Sequence, residues 1–86
     1  FNWGLVHLIC NYSPEFNDLL VDLKNDKRVI LISKSVNNSL VIDVLYHQVA
    51  ELKDFIREYK NKFSTIYDSK LIHIIHVHKL GSYLKI

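Results

Sequence analysis

The hydrophobic pattern of this chain switches twice between the period of a strand and the period of a helix. Alternation at every second residue separates the two faces of a strand, whereas a repeat at i, i+3, i+4 and i+7 forms one stripe on a helix. In order, the pattern predicts strand, helix, strand, strand, helix, strand. The expected elements are strand 1 over 5–10, helix 1 from Ser13 to about Asn25, strand 2 over 29–32, strand 3 over 40–45, helix 2 from about Gln48 to Phe63 and strand 4 from Leu71 to about Leu80.

This βαββαβ order is that of the ferredoxin-like fold, in the α+β class. We expect an antiparallel four-stranded sheet in the order 4-1-3-2 with two helices on one face. Residues 1–86 are expected to form a single domain, because no linker or repeat interrupts them. Between strands 2 and 3, Asn37 and Asn38 are expected to form the tip of the turn, since Asn tolerates positive φ.

The alternation in strand 3 indicates that the sheet is covered on both faces. The wholly apolar set is expected beneath the helices: Leu40, Ile42, Val44 and Tyr46. The opposite set is still half apolar, which a solvated sheet face does not require. With 49% apolar residues in a small domain, we expect a dimeric αβ sandwich, a homodimer or higher homo-oligomer. Its predicted interface is the helix-free face, through Val41, Asp43 and Leu45.

Composition argues against several functional classes. The net charge is only +2 and the basic residues are scattered, so nucleic-acid binding by this domain itself is poorly supported. The single cysteine, Cys10, excludes an intrachain disulfide and is expected to be a small buried residue. No apolar run approaches the ~20 residues of a membrane span, and no signal-peptide pattern begins the chain. We therefore expect a cytoplasmic protein without a membrane partner.

Catalytic motifs are absent from the sequence: it has no Ser-His-Asp order, phosphate-binding glycine loop or paired-carboxylate motif. We expect no enzyme activity and no cofactor. The histidines carry the remaining chemical interest, because His76 and His78 share one side of strand 4 and strand 1 places His7 across from them. Three imidazoles suit zinc, but the favoured interpretation is that they face different directions and bind no metal.

Two further side chains near the sheet have competing interpretations. Asp43 is unusual because Asp is depleted from strands, and it is expected to pair with a Lys, Arg or His on a neighbouring strand rather than bind an effector. Trp3 and Phe1 are expected to be a linker packed on the domain, with a stacking platform for a ligand as the alternative.

Residues 26–34, 38–45 and 48–56 resemble the C-terminal domain of Lrp/AsnC transcription regulators, known as the RAM domain. In that family a strand of the type L-L-x-V leads into a helix that begins like D-L-E-E-L-x-x-F. The corresponding positions here are Val41-Ile42-Asp43-Val44 and Gln48-Val49-Ala50-Glu51-Leu52, with Phe55 at the matching helical position. The resemblance covers nearly the whole chain and lies mostly in apolar spacing.

The resemblance implies a transcription regulator whose sheets pack face to face, often in assemblies larger than a dimer. It implies a small effector, commonly an amino acid, bound between protomers near the strand 2–3 turn. The implied effector-binding residues are Ser35, Asn37, Asn38, Ser39, His47 and Gln48. An ordinary polar hairpin turn is the alternative. In full-length members a helix-turn-helix domain comes first and contacts DNA; because this chain contains no Met, we expect a fragment that lacks that domain.

Two rival functions remain open at this point. One is an ACT-like allosteric domain of a metabolic enzyme, because ACT domains share the strand order. The other is a small dimeric ferredoxin-like enzyme with His or Asp in a cleft between helices and sheet.

Overall fold

The structure, a computed structural model, describes the backbone of residues 2–76 and the side chains of residues 2–72. Its elements are β1 (Asn2–Cys10), α1 (Glu15–Asn25), β2 (Val29–Lys34), β3 (Leu40–Tyr46), α2 (Val49–Lys62) and β4 (Ile66–His76). The strands pair antiparallel in the order β2-β3-β1-β4. This confirms the predicted ferredoxin-like α+β fold and its strand order.

Both helices pack on the same face of the sheet. Leu19 and Leu23 of α1 and Leu52 and Phe55 of α2 join one buried cluster with side chains of β1 and β3. The β3 members of this cluster are those predicted from alternation: Leu40, Ile42, Val44 and Tyr46. A methyl group at Gly4 of β1 would lie 3.1 Å from Leu52 and from Tyr46, so glycine permits the close approach of α2 here.

The β2–β3 connection spans residues 35–39, and its tip is the predicted Asn37–Asn38 turn. Asn37 and Asn38 have φ of 55° and 62°, and positive φ at both central positions is what a type I′ hairpin turn requires. The Ser39 backbone N–H donates to the Val36 carbonyl at 3.1 Å, and the Ser35 N–H donates to the Ser39 carbonyl at 2.8 Å. Asparagine tolerates positive φ and therefore permits this turn between the two strands.

The start of strand 4 was predicted wrongly. β4 begins at Ile66, so Asp68 and Ser69, which were expected in the preceding link, lie inside the strand. The register with β1 shifts twice, between Leu5 and Val6 and between Ile9 and Cys10. Each shift adds a residue on β4 and breaks the alternation from which the strand was predicted. The predicted end near residue 80 lies outside the described residues.

Asp26, immediately after α1, joins the helices and β2 through charged hydrogen bonds. Its carboxylate accepts from the Arg28 side chain at 2.7 and 3.0 Å and from the Tyr59 hydroxyl at 2.7 Å. Arg28 also pairs with Glu58 on α2 at 2.9 Å. Burial alone raises the pKa of Asp26, but the hydrogen bonds from Arg28 and Tyr59 outweigh it and lower the pKa to about 2.

Because the folded pKa of Asp26 lies below its unfolded value, the ionised carboxylate stabilises the fold above about pH 4, and this stabilisation is lost as the pH falls towards 2. The shift corresponds to roughly 2 kcal/mol. Between pH 5 and pH 2, the free energy of unfolding of wild type should fall by about this amount more than that of Asp26→Asn. Urea unfolding at each pH measures both. The exposed Asp54, paired with Arg57, provides the control Asp54→Asn; equal pH slopes for wild type and Asp26→Asn would contradict the assignment.

Candidate functional site: the helix-free face of the sheet

The strand register defines the sheet face opposite the helices. Trp3 lies opposite Leu45, Leu5 opposite Asp43, and His7 opposite Val41. Residues paired across strands project to the same side, which extends the set to β2 and β4. Among residues 2–72, the helix-free face comprises Trp3, Leu5, His7, Ile9, Leu31, Ser33, Val41, Asp43, Leu45, Asp68 and Lys70.

Apolar side chains make up about half of this face although no helix covers it. On this face the β1 and β3 side chains pack against one another, which covers part of each of them. Most are therefore half-buried rather than exposed. The half-buried apolar members are Trp3, Leu5, Ile9, Val41 and Leu45. On β2, Leu31 is 55% exposed. Val41, Asp43 and Leu45 thus share one face as predicted, and that face is more apolar than a solvated sheet face requires.

Asp43 lies at the centre of the helix-free face and is only 8% exposed. Its Oδ2 accepts a hydrogen bond from the Trp3 indole Nε1 at 3.0 Å. Burial raises the pKa of Asp43, and the Trp3 hydrogen bond acts in the opposite direction but does not cancel it. Among residues 2–72, the Asp43 carboxylate therefore has a single hydrogen-bond donor, and that donor is neutral.

One expectation about these residues is wrong. Among residues 2–72 Asp43 pairs with no cation, and its register neighbours are Leu5 on β1 and Leu31 on β2. Trp3 is not part of a linker, because β1 begins at Asn2 and includes it. Phe1 lies outside the described residues.

His7 also carries an unusual polar atom on this face. Its Nε2 is buried and has no hydrogen-bond partner among residues 2–72. Buried polar atoms without partners are rare in native structures and cost about 1–3 kcal/mol each. His7 and Asp43 are diagonal neighbours across β1 and β3, and no hydrogen bond joins them.

The alternative that placed His7 across from His76 is wrong. His7 lies opposite Lys70, whereas His76 lies opposite Asn2, which places the two histidines about 17 Å apart along the sheet. The early start of β4 and its bulges account for the difference. His78 lies outside the described residues. In the part of the chain that the structure describes, no three His, Cys, Asp or Glu residues are grouped to hold a metal ion.

The predicted effector-binding residues form two separate groups within one chain. The turn at 35–39 precedes β3, whereas His47 and Gln48 follow it, so the seven residues of β3 separate them by about 20 Å. Ser39 is buried and its hydroxyl donates to the Val36 carbonyl at 2.8 Å. Gln48 is the N-cap residue of α2, and its backbone N–H donates to the Glu51 side chain at 3.0 Å. These residues have structural roles within the chain, and a site between protomers stays a prediction.

One of these residues, Asn38, lies beside a surface cleft of about 290 Å³ that sequence reasoning missed. The hairpin turn and the start of α1 form it together, with Tyr12, Ser13, Pro14, Phe16, Asn17 and Lys34 as the other lining residues. The Lys34 ammonium lies 5.7 Å from the centre of the Phe16 ring. The cleft depends on how α1 packs beside β2 and the hairpin turn in the folded chain, which the hydrophobic pattern does not reveal.

A second groove of about 330 Å³ lies beside the Asp26 network. Its lining residues are Asp22, Asp26, Arg28, Glu58, Tyr59 and Lys62. Their charged groups pair with one another: Lys62 contacts Asp22, and Arg28 contacts both Asp26 and Glu58. This groove therefore carries a structural network that connects the two helices.

The described helices include none that is long and apolar enough to cross a membrane; the longer, α2, has 14 residues.

The Trp3 hydrogen bond to Asp43 is expected to stabilise the fold at neutral pH. Trp3→Phe keeps an aromatic ring but removes the only hydrogen-bond donor to Asp43 among the described residues, so unfolding should require about 1–3 kcal/mol less free energy. In an Asp43→Asn background the same change should cost less, because no charge is left unpaired. Urea unfolding at one fixed protein concentration measures both; equal costs in the two backgrounds would contradict this role of the hydrogen bond.

Comparison with known proteins supports the fold and no more. No protein-family model matches the chain, and no curated protein matches it in sequence. Among solved structures, the crystal structure of PH0061 is similar, with a TM-score of 0.59 and 12% sequence identity over 91% of this chain. The match covers 53% of PH0061, so the chain spans about half the length of that protein. This chain is therefore similar to PH0061 in fold alone.

Proposed function

We propose that this chain is the oligomerisation and effector-sensing domain of an Lrp/AsnC-like transcription regulator and has no catalytic role. The observation that carries the proposal is the half-buried apolar character of the helix-free face. A solvated face of an antiparallel sheet is normally polar on alternate residues. A second copy of the sheet packed about 10 Å away would remove this apolar surface from water.

The polar groups on the same face support this proposal. Asp43 is already shielded from water within one chain and accepts one hydrogen bond from Trp3. The buried His7 nitrogen has no partner among the described side chains. Such groups are costly on a free surface and are satisfied more readily in an interface that supplies further partners.

The regulator identity rests on the resemblance to the RAM domain and on the fold that both share. In this proposal DNA contact belongs to a helix-turn-helix domain N-terminal to this one, and the protein acts in the cytoplasm. An amino-acid effector binds between protomers, where Asn37 and Asn38 of one copy approach a neighbour. The cleft beside Asn38 offers amide groups, aromatic rings and the Lys34 cation to such a ligand.

Self-association through the helix-free face predicts a specific response to charge. Leu45→Lys places an ammonium in the centre of the proposed interface and should convert a dimer into a monomer at micromolar concentration. Val21→Lys is the matched control, because Val21 is 55% exposed on α1, away from that face. Light scattering after size exclusion measures the mass. A monomeric wild type, or equal effects of the two substitutions, would contradict the proposed interface.

The effector role predicts that an amino acid raises the melting temperature of wild type. A ligand present at 100 times its Kd should add about 2.7 kcal/mol of stability. The double variant Asn37→Ala/Asn38→Ala should lose that response, whereas Asn61→Ala, an exposed change on α2, should keep it. A screen of the common amino acids by thermal shift makes the measurement. A screen without any response would refute the effector role and leave the dimer standing.

A further inference from the structure

We infer that His7 of one copy contacts Asp43 of a second copy, and that a two-fold axis repeats this contact to give two such pairs per dimer. The inference rests on the proposed self-association and deepens it by naming the polar contacts that fix how the two sheets pack. The molecule that packs on the helix-free face is a second copy of this chain.

Asp43 supplies the acceptor. Its Oδ2 is occupied by the Trp3 indole, while Oδ1 accepts no hydrogen bond within the described part of the chain. An ionised carboxylate offers about four acceptor positions on its two oxygens. The residues paired directly with Asp43, Leu5 and Leu31, are apolar and offer it no side-chain donor, whereas a second copy facing the sheet can supply one.

His7 supplies the donor. It makes no hydrogen bond to the described side chains around it, and its Nε2 is buried without a partner. The χ2 torsion of histidine is broad and roughly two-fold, so a ring rotation exchanges the nitrogen positions with carbon positions. A carboxylate placed over the face can therefore recruit an imidazole nitrogen at little cost.

Symmetry makes a second copy the fitting partner. His7 and Asp43 are diagonal neighbours on adjacent strands, with backbones about 8 Å apart. Consider a two-fold axis between two facing sheets that passes midway between His7 and Asp43, perpendicular to the line joining these two residues. Rotation about this axis places His7 of one copy over Asp43 of the other. Each His7 then meets the other copy's Asp43, as an isologous interface requires. A single face that carries both halves of the contact is complementary to itself.

The charge beside His7 is compatible with the same arrangement. Lys70 lies opposite His7 on β4, and Asp68 lies opposite Ile9, two residues away on the same strand. The β4 neighbour of His7 is therefore a cation, whereas Asp43 lies on β3. The two-fold operation places Asp43 of one sheet over His7 of the other, beside Lys70.

The decisive experiment exchanges the two residues in separate proteins. In a His7→Asp homodimer each contact joins two carboxylates, and in an Asp43→His homodimer each joins two imidazoles, so each variant alone should dimerise at least tenfold more weakly. In an equimolar mixture, the heterodimer restores both acid–imidazole contacts. We expect the Kd of the mixture, measured by sedimentation velocity, to return to within about threefold of wild type.

The controls separate this contact from the proposed interface. A wild type that is monomeric would overturn both. A dimeric wild type that Leu45→Lys disrupts, together with a mixture no tighter than either variant, would overturn the contact and leave the interface. If circular dichroism shows either variant unfolded, the milder cycle of His7→Gln, Asp43→Asn and their double variant decides. If the change in the free energy of dimerisation for the double variant differs from the sum of the two single changes, the contact is supported. If it equals that sum, the contact is refuted.

Discussion

Burial of one side of β3 is the constraint on which the rest of this molecule depends. The central strand places four successive same-side residues beneath both helices: Leu40, Ile42, Val44 and Tyr46, each no more than 3% exposed. Because side chains alternate along a strand, a slip of one residue would bring Asp43 into the helical core. The register is therefore fixed, and Val41, Asp43 and Leu45 must lie on the helix-free face.

The helix-free face combines features that a solvent-facing sheet does not need. Its apolar side chains shield Asp43, and the His7 Nε2 is buried without a hydrogen-bond partner among residues 2–72. Each feature costs free energy in an isolated protomer. Association of two copies would bury the apolar surface and supply donors and acceptors at the same time, so that one event relieves both costs.

Asp26 and Asp43 show how the environment of a shielded carboxylate decides its role. Asp26 accepts hydrogen bonds from Arg28 and Tyr59, and these partners lower its pKa. Within the described residues Asp43 has only the neutral Trp3 donor, so burial dominates and its pKa is raised. The first carboxylate holds helices and strand together and is fully satisfied within the chain. The second retains acceptor capacity, which makes it the better candidate for contact with another molecule.

The order of elements, the side of β3 that faces the helices and the Asn37–Asn38 turn can be predicted from the sequence, because each depends on residues close together in the chain. The early start of β4 follows from its pairing with β1, which introduces the bulges. The Trp3–Asp43 hydrogen bond joins residues 40 positions apart, and the distance between the turn and Gln48 likewise depends on how the strands pair. These features depend on register between distant segments, and periodicity does not encode that register.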